Sequence, residues 1–248
     1  MFNSIFQLFT CMNQDYVDRK LSFSSEFFQY PQLENDFSKK SDISIFDPKR
    51  SAEYLVSFLT QPSSYCVGIV DMVNSTKITA QIGPLRVSRY YQVFLNSMSK
   101  IISEFGGSVI KNVGDCLVYY FPESGRSNDK YDFIRCIECG LTMIRSQKHI
   151  SEQLLREGLP DLDFRVSADY GSVLIMKSNV SESLDMIGPP LNMCSKINHL
   201  AEKNQFVVGG DLYQIIKKYN EFKFHEIKSM FIGLKNSYPV YVVNRRLL

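Results

Sequence analysis

Ser108-Val-Ile-Lys-Asn-Val-Gly-Asp-Cys-Leu-Val-Tyr-Tyr-Phe121 decides the fold. Two runs of β-branched and aromatic residues, Val109-Ile110 and Cys116 to Phe121, flank the turn Asn112-Val113-Gly114-Asp115, a pattern that predicts a β-hairpin. A carboxylate at a hairpin turn projects from the end of a sheet on rigid backbone, a suitable base for a metal ligand. Asp115 needs a second carboxylate for that purpose. Asp71, at the end of the apolar run Tyr65-Cys-Val-Gly-Ile-Val70, is the best candidate, and the rest of the chain reads as elements built around these two.

Outward from the hairpin, the pattern alternates. The run from Tyr65 to Asp71 predicts a buried strand. Ser75 or Thr76 predicts the cap of a short helix ending near Gly83-Pro84. Tyr90, Val93, Phe94, Met98, Ile101, Ile102 and Phe105 fall near helical spacing, and Gly106-Gly107 ends that helix. After the hairpin come a polar loop from Glu123 to Asp129 and a helix from Tyr131 to His149. Phe164 to Asp169 and Ser172 to Met176 predict two strands meeting at Tyr170-Gly171. A loop through Asp185 leads to Gly188-Pro189-Pro190, and proline is tolerated in a first helical turn, so a helix is expected from there to Lys203. Gln205 to Val208, Phe222 to Ile227 and Pro239 to Asn244 read as strands, and Asp211 to Tyr219 as a helix. Strand, helix, hairpin, helix, strand is the order of an α+β, ferredoxin-like βαββαβ core, here with C-terminal additions.

The first part of the chain differs. Residues 1–60 are rich in Phe, Ser, Asp and Lys without a clear period, and Phe23, Phe27, Phe28, Tyr30, Phe37 and Phe46 are too many aromatics for a disordered tail. They are expected to form a partly ordered arm, regulatory or docking in role, with a short helix over Ser51 to Thr60 and a linker at Gln61-Pro-Ser-Ser64. Residues 61–248 form the main domain.

Composition narrows the function. A net charge of +2 argues against a nucleic-acid binder working by bulk charge. Cys66 and Cys116 sit within apolar runs, as reduced thiols of a cytoplasmic protein do. Cys136 and Cys139 form one CxxC without a second pair or histidines at ligand spacing, so a buried helix face is expected there rather than zinc. No run approaches a transmembrane span, and Met1 to Met12 lack the basic start and cleavage site of a signal peptide. No GxxxxGK[ST] loop appears, which argues against a Walker-type kinase or ATPase.

Two strand-end aspartates suggest divalent cations shared between carboxylates and a phosphorylated substrate. Four blocks sharpen this. They are Val70-Asp-Met-Val-Asn-Ser-Thr76, Lys111-Asn-Val-Gly-Asp115, Arg165-Val-Ser-Ala-Asp-Tyr-Gly171 and Asp185-Met-Ile-Gly-Pro-Pro-Leu-Asn-Met-Cys-Ser-Lys196. In this order, with the aspartates 44 residues apart (115 − 71), they resemble the catalytic domain of class III adenylate and guanylate cyclases over most of residues 65–244. Asn74 stands where that family usually has Gly, and Asn also tolerates positive φ.

The resemblance implies the cyclase homology fold and a homodimer with shared active sites, one subunit bringing the metal aspartates and the other the base-reading and phosphate-charge groups. It implies that Asp71, Asp115 and the Met72 carbonyl hold two Mg²⁺ or Mn²⁺ ions per site. Lys111 and Asp185 match the base-selecting positions; lysine donates to adenine N1 and a carboxylate accepts from N6. Guanylate members tend to carry Glu and Cys there, so ATP is the implied substrate. Asn192 matches the ribose-orienting asparagine. Lys196 stands where the family has Arg, supplying charge without the planar fork. Lys235 lies near a phosphate-binding lysine. Asp169, where the family often has His or Asn, is expected to be structural, and His149, His199 and His225 carry no catalysis.

The leading expectation is an adenylate cyclase. The alternatives are a catalytically weak or inactive nucleotide-binding dimerisation module, kept open by Lys196, and a cyclase for GTP or a pyrimidine nucleotide. A diguanylate cyclase is disfavoured because its Gly-Gly-Asp/Glu-Glu-Phe signature is absent.

Overall fold

The computed structural model describes residues 56–59, 61–125, 129–178, 183–227 and 238–246. In chain order the elements are β1 (Val56–Phe58), β2 (Ser63–Met72), α1 (Ser75–Gln81), α2 (Pro84–Glu104), β3 (Ser108–Val113), β4 (Cys116–Phe121), α3 (Lys130–Arg156) and β5 (Phe164–Ser178). There follow β6 (Leu184–Ile187), α4 (Pro189–Asn198), β7 (Gln205–Gly209), α5 (Gly210–Ile216), β8 (Phe222–Ile227) and β9 (Val240–Arg245). The main sheet runs β3-β4-β2-β5-β7-β9-β8, with β1 and β6 both paired to β5. Its first four strands are mutually antiparallel in the order of a βαββαβ unit, and β7 adds parallel to β5.

β2 is the centre because both its faces are covered. Cys66, Val70 and Met72 point into the large core under α2 and α3, while Val67 and Ile69 point the other way into smaller clusters shared with α4. Alternation of side chains across a strand thus accounts for a continuous apolar run. Gly68 lies where the buried Tyr119 ring crosses β2; a Cβ there would stand 2.3 Å from the ring. In α2, Pro84 occupies the first turn, and Tyr90, Val93, Phe94, Met98 and Ile102 form the buried stripe. Asp129 caps α3 by accepting from the Tyr131 amide.

Several expectations are corrected. The helix expected over Ser51 to Thr60 is, where described, the strand β1, which finds main-chain partners on β5. Ser63 and Ser64 belong to β2 rather than to a linker. Tyr170-Gly171 is no turn: β5 runs unbroken for 15 residues, paired with β2 from Phe164 to Val173, and Gly171 has an extended backbone. Asp185 lies in β6, not in a loop. α4 ends at Asn198 instead of Lys203, and α3 continues to Arg156, where its last turns bury Ile150 and Leu154. The expected arm over residues 1–55 lies outside the described residues.

Cys66, Cys116, Cys136, Cys139 and Cys194 are free thiols, all but Cys116 fully buried. Burial pushes the Cys139 thiol up to about 12, and burial likewise drives Cys116 and Cys194 upward. Among the described residues no helix is long and apolar enough to cross a membrane.

Candidate active site

The end of β2 and the β3–β4 turn meet. Asp71 is the cross-strand neighbour of Cys116, and the Met72 amide donates to the Asp115 carbonyl at 3.4 Å. Gly114 makes this turn possible with φ +61, a conformation that suits glycine. On the far side of Asp71 the chain turns through Asn74, left-handed at φ 60 as its side chain allows, into α1.

The two carboxylates are electrostatically close. Burial, and then the charge of Asp115, push the Asp71 carboxyl from 3.8 up to about 7, against the opposing pull of Arg165. Arg165 is the cross-strand partner of Asp71 on β5, and its buried Nε has no hydrogen-bond partner among the described residues. Arg165 belongs to a motif visible in the sequence, yet its place beside Asp71 follows only once β2 is paired with β5. Tyr91 of α2 was also missed: burial first, and then the charges of Asp115 and Asp71, push its hydroxyl above the usual tyrosine range.

A second cluster forms on β3 and β6. The Lys111 ammonium stands 2.6 and 2.7 Å from the two oxygens of Asp185, and the Met186 amide donates to Asp185 Oδ1 at 2.7 Å. Both side chains are about one-third exposed, so the pair contributes little to stability. On α4, Asn192 and Lys196 lie one turn apart on the exposed side, while Cys194 and Ile197 pack inward. Lys235 lies outside the described residues. Asp169 is buried and accepts hydrogen bonds from the Tyr238 hydroxyl at 2.8 Å and the Leu212 amide at 3.2 Å. It thereby ties β5 to α5, and burial pushes its carboxyl up to about 6. The three histidines are exposed.

Hard divalent cations fit the first cluster. Among the described residues, no group of three or more His, Cys, Asp or Glu side chains is placed to hold a metal by itself. Two crowded carboxylates, one strongly disfavoured in its charged form, are what a cation shared with substrate phosphates would relieve.

Residues 60–245 match the family described as the adenylate and guanylate cyclase catalytic domain. The chain is 23% identical over 135 residues to an adenylate cyclase of Anabaena cylindrica, and 23% identical over 138 residues to a uridylate cyclase of Rhodovulum sp. (strain MB263). These matches take in 54% and 53% of this chain but only 26% and 56% of the two relatives. Among solved structures, the adenylyl cyclase CyaB from P. aeruginosa superposes with a TM-score of 0.69 at 20% identity, covering 75% of this chain and 96% of that one. The guanylate cyclase domain of RhGC from Catenaria anguillulae, in complex with GTP, gives 0.65 at 16% identity over 76% and 100%. At such identities the likeness shows the fold.

Proposed function

Because the chain belongs to the adenylate and guanylate cyclase catalytic domain family, we propose that it converts ATP to 3′,5′-cyclic AMP and pyrophosphate. The observation that carries this reading is the convergence of Asp71, Asp115 and Arg165 at the end of β2. The ribose 3′-oxygen bonds to the α-phosphorus, the bond from that phosphorus to the bridging oxygen of the β-phosphate breaks, and the hydroxyl proton leaves to solvent. Asp71, Asp115 and the Met72 carbonyl would hold Mg²⁺ or Mn²⁺. When bound, such a pair of cations activates the attacking oxygen and steadies the departing pyrophosphate. Arg165, across the strand pair from Asp71, adds positive charge at the end of β2 where the phosphates would lie. Asn192 orients the ribose, and Lys196 with Lys235 supplies positive charge to the phosphates. The protein's work is positioning and charge stabilisation.

Asn192 and Lys196 face outward, which supports two copies completing each other's sites. Val109 and Val113 of β3 and Leu184 and Ile187 of β6 are exposed apolar side chains on the strands that carry Lys111 and Asp185, which suits a second copy packing there. Four fully buried free thiols support a cytoplasmic setting.

Base choice rests on Lys111 and Asp185. An ammonium donor beside a carboxylate acceptor matches a ring acceptor next to an exocyclic amine, the edge that adenine and cytosine share. Guanine and uracil present a carbonyl next to an N–H, the reverse order, and a buried mismatch leaves polar groups unpaired. The similarity to a uridylate cyclase favours, as a second reading, a pyrimidine substrate. Purified protein is to be incubated with Mg²⁺ or Mn²⁺ and each of ATP, GTP, CTP and UTP, and the cyclic products identified by mass. Cyclic AMP as the main product is expected. Cyclic UMP or cyclic GMP as the main product would refute the base-reading assignment, and no cyclic product from any of the four would refute catalysis.

A further inference from the structure

Three strands lie side by side beyond the point where β2 begins: β1, the last residues of β5, and β6. Phe58 of β1 stands opposite Met176 of β5, and Met176 stands opposite Asp185 of β6. Asp185 therefore shares one cross-strand row with the strand that enters the sheet first. The Leu59 amide donates to the Ile175 carbonyl at 2.9 Å, and the Ser178 amide donates to the Ser183 carbonyl at 2.8 Å, closing the β5–β6 hairpin. Without β1, this end of β5 would keep β6 alone, and a lone two-stranded ribbon is marginal in water. The hairpin's other supports are the Lys111–Asp185 pair from β3 and an apolar contact, Ile175 and Met186 in a small buried cluster with Val67 and Val173. Phe58 and Leu59 are 55% and 53% exposed, so β1 acts through its main chain rather than by burying side chains.

We propose that β1 is a positioning strand for Asp185. Its pairing with β5 holds β6 where Asp185 meets Lys111, so that loosening β1 alters nucleotide selection. The effect on selection rests on the base-reading role given to Asp185 and Lys111; the hold of β1 on β6 rests on the strand row alone.

The full-length chain carrying Leu59→Pro, which removes the amide donor, is compared with Leu59→Ala, which keeps it. Ser57→Pro, at the residue opposite Lys177 in the next hydrogen-bonded pair of the β1–β5 ladder, serves as a second variant. Hydrogen exchange followed by mass spectrometry on peptides spanning β6 is the first readout. Exchange in β6 is expected to quicken several-fold in both proline variants and to stay unchanged in Leu59→Ala. In the cyclase assay, KM for the preferred nucleotide is expected to rise about three- to tenfold with kcat within twofold, and discrimination between amino and keto bases to shrink. Unaltered β6 exchange in the proline variants, or the same change in Leu59→Ala, overturns the proposal. So does faster β6 exchange with unchanged KM and selectivity. A wild-type chain that made no cyclic nucleotide would sink the cyclase reading, and β6 exchange would still decide whether β1 holds Asp185.

Discussion

Asp71→Asn is expected to make the metal-free domain more stable while abolishing its activity. The Asp71 carboxyl is pushed from 3.8 to about 7, a gap of about 3 pH units. At about 1.4 kcal/mol per unit, ionised Asp71 costs the fold up to about 4 kcal/mol, and water relaxing around a part-buried group reduces this to about 2 kcal/mol. Because the folded-state value lies above the unfolded one, the folded domain holds this proton more tightly. The penalty is absent below pH 3.8, grows through the window from 3.8 to about 7, and is complete above it. A domain of this size shifts its Tm by about 2–4 °C per kcal/mol, so Asp71→Asn should melt about 4–8 °C above wild type at pH 8 in EDTA. The gap should fall to less than half of that at pH 5. Adding Mn²⁺ should raise the wild-type Tm and leave the variant's unchanged. Calorimetric scans of both proteins from pH 5 to pH 8 test this. A variant that melts below wild type at pH 8, or a gap that ignores pH, would refute the electrostatic account of the carboxylate pair.

Asp169→Ala leaves the Tyr238 hydroxyl and the Leu212 amide without their acceptor, whereas Asp169→Asn keeps an oxygen there. The alanine variant should unfold about 2 kcal/mol more easily than the asparagine variant in urea, and equal midpoints would remove the tie between β5 and α5. Gly68→Ala should cost about 1–3 kcal/mol, because its methyl group meets the buried Tyr119 ring; a thermal midpoint within 1 °C or so of wild type would contradict that close approach. Lys196→Arg restores a planar fork and is expected to raise turnover several-fold with metal dependence unchanged, and a fall would show a pocket tuned to lysine. Lys111→Glu combined with Asp185→Cys should move product formation from cyclic AMP toward cyclic GMP, and intact ATP preference would sink the base-reading pair.

The hairpin, the buried strand before Asp71 and both long helices were legible because each follows from local periodicity: alternation around a Gly turn, or a stripe at helical spacing. Asp71 and Asp115 could be placed together because strand ends and turns fall at one edge of a sheet. What failed was non-local. Tyr170-Gly171 looked like a turn, yet pairing with β2 along ten residues keeps the backbone extended through it. Ser51 to Thr60 carried helix signals, but the free edge of β5 recruited Val56–Phe58 as a strand, so tertiary pairing overrode local preference. Asp185 was assigned to a loop for the same reason, since a four-residue strand owes its existence to its partner. Arg165 showed its type but not its neighbour.

The core thiols make the chain its own clock for opening. Thiolates, not thiols, are alkylated, and Cys136, Cys139 and Cys194 are buried with their acidity suppressed. At neutral pH, iodoacetamide should label them only when strands and helices separate. The rate at which peptides carrying these three cysteines gain mass then reports unfolding of the domain, at tracer concentration and without a calorimeter. Applied to the substitutions above, it separates a variant that has lost its chemistry from one that has lost its shape.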